Sequence, residues 1–144
     1  MANCECEVAL AGGPLGVFLP QKNSSAGAIV EFFGNVRPLE NDQEIDGIEY
    51  EAHREMAEHQ LREIAREASE RFNLLAIRLH HRVGFVAVGE TSLFLRVAAV
   101  HRGPAFEASQ WIVDQLKIRV PIWKSVRFQA GSAQKKESDL PVIV

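Results

Sequence analysis

The chain has 144 residues, 47% of them hydrophobic, with six prolines, ten glycines and a formal net charge of −3; it can bury one core and is too short for two ordinary domains. Near-neutral charge disfavours a broad nucleic-acid-binding face, so any cationic site has to come from local clustering. The apolar stretch LFLRVAAV is broken by Arg96 and falls far short of the roughly 20 residues a membrane helix needs, and MANCECEVAL does not read as a secretory signal, so a soluble cytoplasmic protein is expected.

In chain order, CEVAL predicts a short strand. Cys4 and Cys6 lie two apart on it, which points both thiols to one face without giving the C-x-x-C spacing of redox or zinc sites, so two reduced thiols are expected. A Gly-Pro turn at GGPLG and the polar connection QKNSSAG follow. Residues 28–36, AIVEFFGNV, predict a strand ending near Gly34, and RPLENDQEIDG reads as loop, leaving Arg37 at the boundary. Residues 45–53 alternate Ile48, Tyr50 and Ala52 with Glu49 and Glu51, the pattern of a half-buried strand.

Residues 54–72 carry Ala57, Leu61, Ile64, Ala65, Ala68 and Phe72 at helical spacing, with Glu58–Arg62 and Glu67–Arg71 as expected i,i+4 pairs. AIRLHHRVG and TSLFLRVAAVHR predict two strands joined by GFVAVGE, the second apolar on both faces and therefore central. Pro104 suits the start of a second helix running to about Val120. Pro121 stops it, IWKSVRF is the last strand, and residues 129–144 read as a tail. The order after residue 27 is β-β-α-β-β-α-β, which predicts one α+β sandwich domain with both helices on one face of a largely antiparallel sheet.

The second helix puts Phe106, Ser109, Val113, Leu116 and Val120 on one stripe, with Lys117 at its edge. A lysine there commonly lays its methylenes on the core and lifts its ammonium to water. Held against an apolar wall it instead loses hydration, which favours the neutral, nucleophilic amine. Lys124 follows just after the chain reverses at Pro121. His101 and Arg102 close the central strand ahead of a helix N-terminus, where free amides, an imidazole and a guanidinium form an anion site. Arg37 joins them if its strand and the central strand end on the same side.

His80 and His81 point to opposite faces of a strand, and His53 and His59 lack metal-ligand spacing, so all four read as structural or solvated. Glu40, Asp42 and Glu44 read as a solvated loop. No Gly-rich phosphate loop, G-x-S-x-G elbow or H-E-x-x-H helix is present. The residues by themselves lead to a pocket with a reactive lysine that takes a phosphorylated or carboxylate substrate.

FFGNVR, AAVHRGPAFEA and LKIRVPIWK, in that order, resemble the large catalytic subunits of molybdopterin synthase, the MoaE family, and GIEYEAHREMAE looks like that family's strand entering its first long helix. The resemblance covers about residues 27–128. It implies an α/β hammerhead-type fold and a homodimer with a small ubiquitin-like sulfur carrier at each end, forming a heterotetramer. The implied enzyme is a sulfurtransferase of molybdenum cofactor biosynthesis: the carrier's C-terminal Gly-Gly thiocarboxylate delivers sulfur to cyclic pyranopterin monophosphate, forming the dithiolene of molybdopterin. No cofactor or metal is implied for this subunit.

Carried over by position, Lys117 and Lys124 are the catalytic candidates. Asn35, Val36, Arg37, His101, Arg102, Ser125 and Val126 would join them in binding substrate. The chain departs from the family after the second lysine, where FQAGSAQKKESDLPVIV replaces a Gly-containing turn and a Trp-Val-Glu strand, and GNVR stands where many members have GKVR. The competing readings are a ferredoxin-like, non-enzymatic oligomer that binds a small anionic ligand, and a scaffold subunit that has lost turnover.

Overall fold

The computed structural model describes residues 4–16, 23 and 25–129. Its elements are β1 (Glu5–Ala11), β2 (Ala28–Asn35), β3 (Leu39–Glu40), β4 (Gln43–Ala52), α1 (Arg54–Phe72), β5 (Ala76–Arg82), β6 (Gly84–Ala87), β7 (Thr91–Ala99), α2 (Arg102–Arg119) and β8 (Ile122–Phe128). The expected tail beyond residue 129 lies outside the described residues, as does much of the QKNSSAG connection.

The first sheet has the order β1-β5-β7-β2; β1 and β5 run parallel and the other pairs antiparallel. β7 is central as its composition predicts, with Ser92 through Ala99 all buried. α1 packs on β1 and β5, α2 on β7 and β2, and the helices on each other, so both cover one face. Within the second sheet β4 pairs with β6 and with β8 along the same residues, Gly47 to Tyr50, and so lies between them. The α+β class and the hammerhead-type arrangement of a small sheet joined to a helix-covered one are both present.

Two strands occupy segments that read as loops. Asn41 and Asp42 adopt φ of 51° and 65°, a left-handed pair that these two residue types tolerate and that turns β3 into β4 as a tight hairpin. β6 lies within GFVAVGE, between Gly84 at φ 93° and Gly89 at φ 88°. At only four residues it is too short to register as an alternating pattern.

Helix α1 has its expected bounds. His53 caps it, Nδ1 accepting from the Met56 N–H at 3.3 Å, and Asn73 at φ 55° ends it in the left-handed region. The expected ion pairs on its wet side are replaced by others: Glu58 meets Arg54 at 3.2 Å, and Arg66 bridges Glu63 and Glu70 at 3.0 and 3.3 Å. Glu67 is drawn away to Arg119 of α2, which donates to both its oxygens at 3.1 and 2.8 Å. A two-pronged interhelical bond outcompetes a single exposed i,i+4 contact. Arg71 instead lies over the rings of Phe72 and Trp111, at 5.7 and 5.4 Å.

The buried stripe of α2 is Ala105, Ala108, Ser109, Ile112 and Leu116, rotated from the expected one. Small alanines let the helix approach β7 closely, and Phe106 is turned out to 63% exposure. On the sheet face opposite the helices a row of charge crosses all four strands. Register sets Glu7 beside Arg78, Arg78 beside Arg96, and Arg96 beside Glu31, with Arg78 Nε to Glu7 at 3.0 Å and Arg96 Nε to Glu31 at 2.7 Å.

His81 is fully buried at the end of β5, with the Tyr50 ring edge-on at 5.2 Å and Nδ1 at 2.8 Å from the Arg82 carbonyl. Desolvation lowers its pKa to about 4, opposed by the backbone bond. The folded chain therefore holds it neutral, while the unfolded chain protonates it from about pH 6.5 downward. The stability present above pH 6.5 is lost progressively down to about pH 4, by about 3 kcal/mol in total. Urea midpoints measured across this window should fall, and the fall should flatten in His81→Leu.

Candidate active site

The register of β2 against β7 decides which candidate residues meet. Ala28 pairs with Ala99, and Asn35 with Thr91, so β2 ends where β7 begins. Arg37 and His101 emerge at opposite ends of the sheet, separated by the length of β7, roughly 26 Å. The condition for Arg37 to join His101 and Arg102 is thus not met within one chain, because antiparallel pairing ends the two strands on opposite sides.

Arg37 is held at the β7 entrance by its neighbours. Val36 is buried at 3% exposure; its N–H donates to the Glu90 carbonyl at 3.0 Å, and its own carbonyl accepts from Gly89 at 2.8 Å. Asn35 accepts the Thr91 hydroxyl at 2.7 Å. The turn doing this is itself braced, because Glu90 receives Arg82 at 2.9 Å and the Ala87 N–H at 3.1 Å. Those two bonds, the backbone one foremost, hold the Glu90 carboxyl below its ordinary range. The sequence reading missed Glu90 and Arg82; a turn glycine with a carboxylate beside it is the only signal it carried.

Lys117 arrives at the same end by way of α2. The helix starts beside the end of β7 and packs back along β7 and β2, and its 18 residues rise about 26 Å, so its last turn lies over the start of β7. A groove between β2 and α2 is lined by Phe32, Phe106, Gln110 and Val113 among others, and Lys117 follows one turn beyond Val113 on the same helix stripe.

Lys124 lies on the second sheet. It pairs with Tyr50 of β4, whose phenol is pushed up by burial against the opposing hydrogen bond of Ser92. Ser92 in turn donates to the Gly34 carbonyl at 3.2 Å. That chain ties the strand neighbour of Lys124 to the ends of both β2 and β7. Ser125 and Val126 follow on β8, half-buried, beside Glu49 and Ile48. Trp123 alternates to the other side and lines a separate groove of about 570 Å³ with Leu10, His53 and Val83.

Lys117 is exposed and Lys124 half-buried, so the apolar wall expected around Lys117 is not formed within one chain. Most of the other cations are paired with acids. Seven arginines, at positions 54, 66, 78, 82, 96, 119 and 127, each face a carboxylate. Among the described residues Arg37, Arg102, Lys117 and Lys124 make no such ion pair, and neither do Arg62 or Arg71, the latter lying over two aromatic rings. At the other end of the sheet His101 stands at the N-cap of α2 without a side-chain capping bond, leaving the helix's first amides open beside Arg102. Among the described residues no cluster of three or more His, Cys, Asp or Glu side chains could hold a metal.

Two layers of α+β structure, a small sheet joined to a helix-covered one, define a domain of the hammerhead type. Residues 17–119 match the family described as MoaE protein, and the chain belongs to that family. A Thermoplasma volcanium protein named molybdopterin synthase catalytic subunit is 40% identical over 119 residues, covering 83% of this chain and 87% of the relative. A Pyrococcus abyssi protein of the same name is 43% identical over 102 residues, covering 71% and 69%. The crystal structure of molybdopterin synthase from Staphylococcus aureus superposes with a TM-score of 0.76 at 27% identity, covering 85% of this chain and 91% of that one.

Proposed function

We propose that this chain is the catalytic subunit of a molybdopterin synthase, moving sulfur from the thiocarboxylate of a small ubiquitin-like carrier onto cyclic pyranopterin monophosphate in the cytoplasm. Both reactants are anions, and the reading rests on one observation: the four cations at the candidate positions make no ion pair among the described residues, whereas seven of the nine other described arginines face a carboxylate, Arg62 and Arg71 being the exceptions. Fixed positive groups that need no reorganisation lower the cost of bringing two anions together. Arg37, with Asn35 and Val36, holds the phosphate. Lys124, with Ser125 and Val126, orients the thiocarboxylate, and Lys117 assists sulfur addition and proton transfer. No helix among the described residues is long and apolar enough to cross a membrane.

His101 and Arg102 enter through a second copy of the chain. β2 is an edge strand that exposes Ile29, Phe32 and Phe33, with Phe106 beside it, at 45%, 38%, 51% and 63%, an unusual load of apolar surface for an edge. A two-fold axis through the middle of β2 makes the contact self-complementary. It sets the Asn35 end of one strand beside the Ala28 end of its mate, next to the mate's Ala99 and hence its His101 and Arg102. Each pocket then draws Arg37, Lys117 and Lys124 from one chain and His101 and Arg102 from the other, and the mate supplies the wall that Lys117 lacks alone.

Mixing the protein with thiocarboxylated carrier and cyclic pyranopterin monophosphate should yield the dithiolene product. Carrier bound without product would make the chain a scaffold. Absence of carrier binding would favour the non-enzymatic anion-binding oligomer.

A further inference from the structure

Cys4 and Cys6 take no part in the site above. β1 begins at Glu5, beside Ala76, which in turn faces Ala98, so the two thiols lie at the end of the sheet remote from Lys117 and Lys124. Cys6 Sγ donates to Cys4 Sγ at 3.5 Å. Cys6 is exposed and Cys4 partly buried, the latter packed against the core. Cys4 precedes the first ladder bond of β1, from the Glu5 N–H to the Leu75 carbonyl at 3.1 Å.

We propose that Cys4 and Cys6 form a redox-active dithiol that closes to a reversible intrastrand disulfide on exchange with a low-molecular-weight disulfide. Two residues of extended chain span about 6.7 Å between Cα atoms, at the upper edge of the ~4.4–6.8 Å that a disulfide accepts. The sulfurs must close from 3.5 Å to about 2.05 Å, a movement that falls on Cys4, which precedes the first register pair of β1. The resulting ring is taut, which makes it readily reduced.

Exposure makes the Cys6 thiolate the first attacker. It bonds to one sulfur of the small disulfide and expels the other as a thiolate, which takes up a proton. Cys4 is slower: burial foremost, and the neighbouring Cys6, push its pKa up to about 12. Once Cys6 is in the mixed disulfide its own contribution to that rise is gone. The Cys4 thiolate then attacks Cys6 Sγ and expels the second small thiolate. Both protein sulfurs are oxidised, both sulfurs of the small disulfide are reduced, and two protons pass from the cysteines to the released thiols.

The full chain would be equilibrated in glutathione and glutathione disulfide mixtures, acid-quenched, and read by intact mass and free-thiol count. Both thiols should disappear together with loss of two hydrogens, return with excess glutathione, and leave the Glu5 amide exchanging faster with deuterium. Cys4→Ser should stop at one glutathione adduct on Cys6, and Cys6→Ser should react at least about tenfold more slowly than the native chain. A stable single adduct on the native chain, disulfide-linked pairs of chains, or two thiols persisting in pure glutathione disulfide would each overturn the proposal. Dithiolene formation by either variant should match the native chain, which separates this test from that of the lysine pocket.

Discussion

Lys117→Ala should lower dithiolene formation by at least about 100-fold, the scale on which loss of one fixed proton donor or charge-stabilising group is felt in a shielded site. The side chain is exposed on the last turn of α2 and makes no ion pair among the described residues, whereas Arg119, two positions on, is bonded to Glu67. Truncating it removes chemistry and leaves packing intact, and the denaturation midpoint should stay within the small range typical of surface substitutions. Single-turnover product formation with saturating carrier and pterin is the measurement. Turnover within a factor of about three of native would remove Lys117 from the mechanism.

Mixing two dead variants should restore activity. Lys117→Ala and His101→Ala, each inactive alone, should regain about a quarter of native turnover when co-refolded in equal amounts. Random pairing makes about half the dimers mixed, and each mixed dimer carries one intact pocket of two. Were Lys117 and His101 to serve the same pocket from one chain, no mixture could contain an intact site. The roughly 26 Å of β7 between Arg37 and His101 makes recovery the expected result, and its absence would sink the shared pocket while leaving the catalytic role of Lys117 to be judged by its own assay.

Much of this was legible in the residues. The bounds of α1 and β8 and the central place of β7 follow from helical spacing, from Pro121 and from a run apolar on both faces. The short strands were not legible: β6 has four residues and β3 two, lengths at which alternation carries no signal, and both exist because β4 offers them an edge. The site was legible as a set of residues and illegible as a place. Which end of a sheet a strand finishes on is a property of pairing direction, written in contacts between distant segments, and so the placement of Arg37 and His101 at opposite ends of one chain's sheet had to wait for the register. The rotation of α2 that exposes Phe106 is of the same kind, since Ala105 and Ala108 weigh little in a hydrophobic count yet decide how closely the helix can lie.

The row of Glu7, Arg78, Arg96 and Glu31 supplies none of the candidate site residues, yet it bears on where the chemistry happens. Sliding β2 by two residues along β7 would keep its apolar side chains on the same face, so hydrophobic pattern alone does not forbid the error. The slip would set Glu31 against Phe94 or Ala98 in place of Arg96, and would carry Arg37 some 7 Å away from the turn that seats it. The charged row thus penalises that slip, and damage to it should surface as a population of misthreaded, inactive molecules.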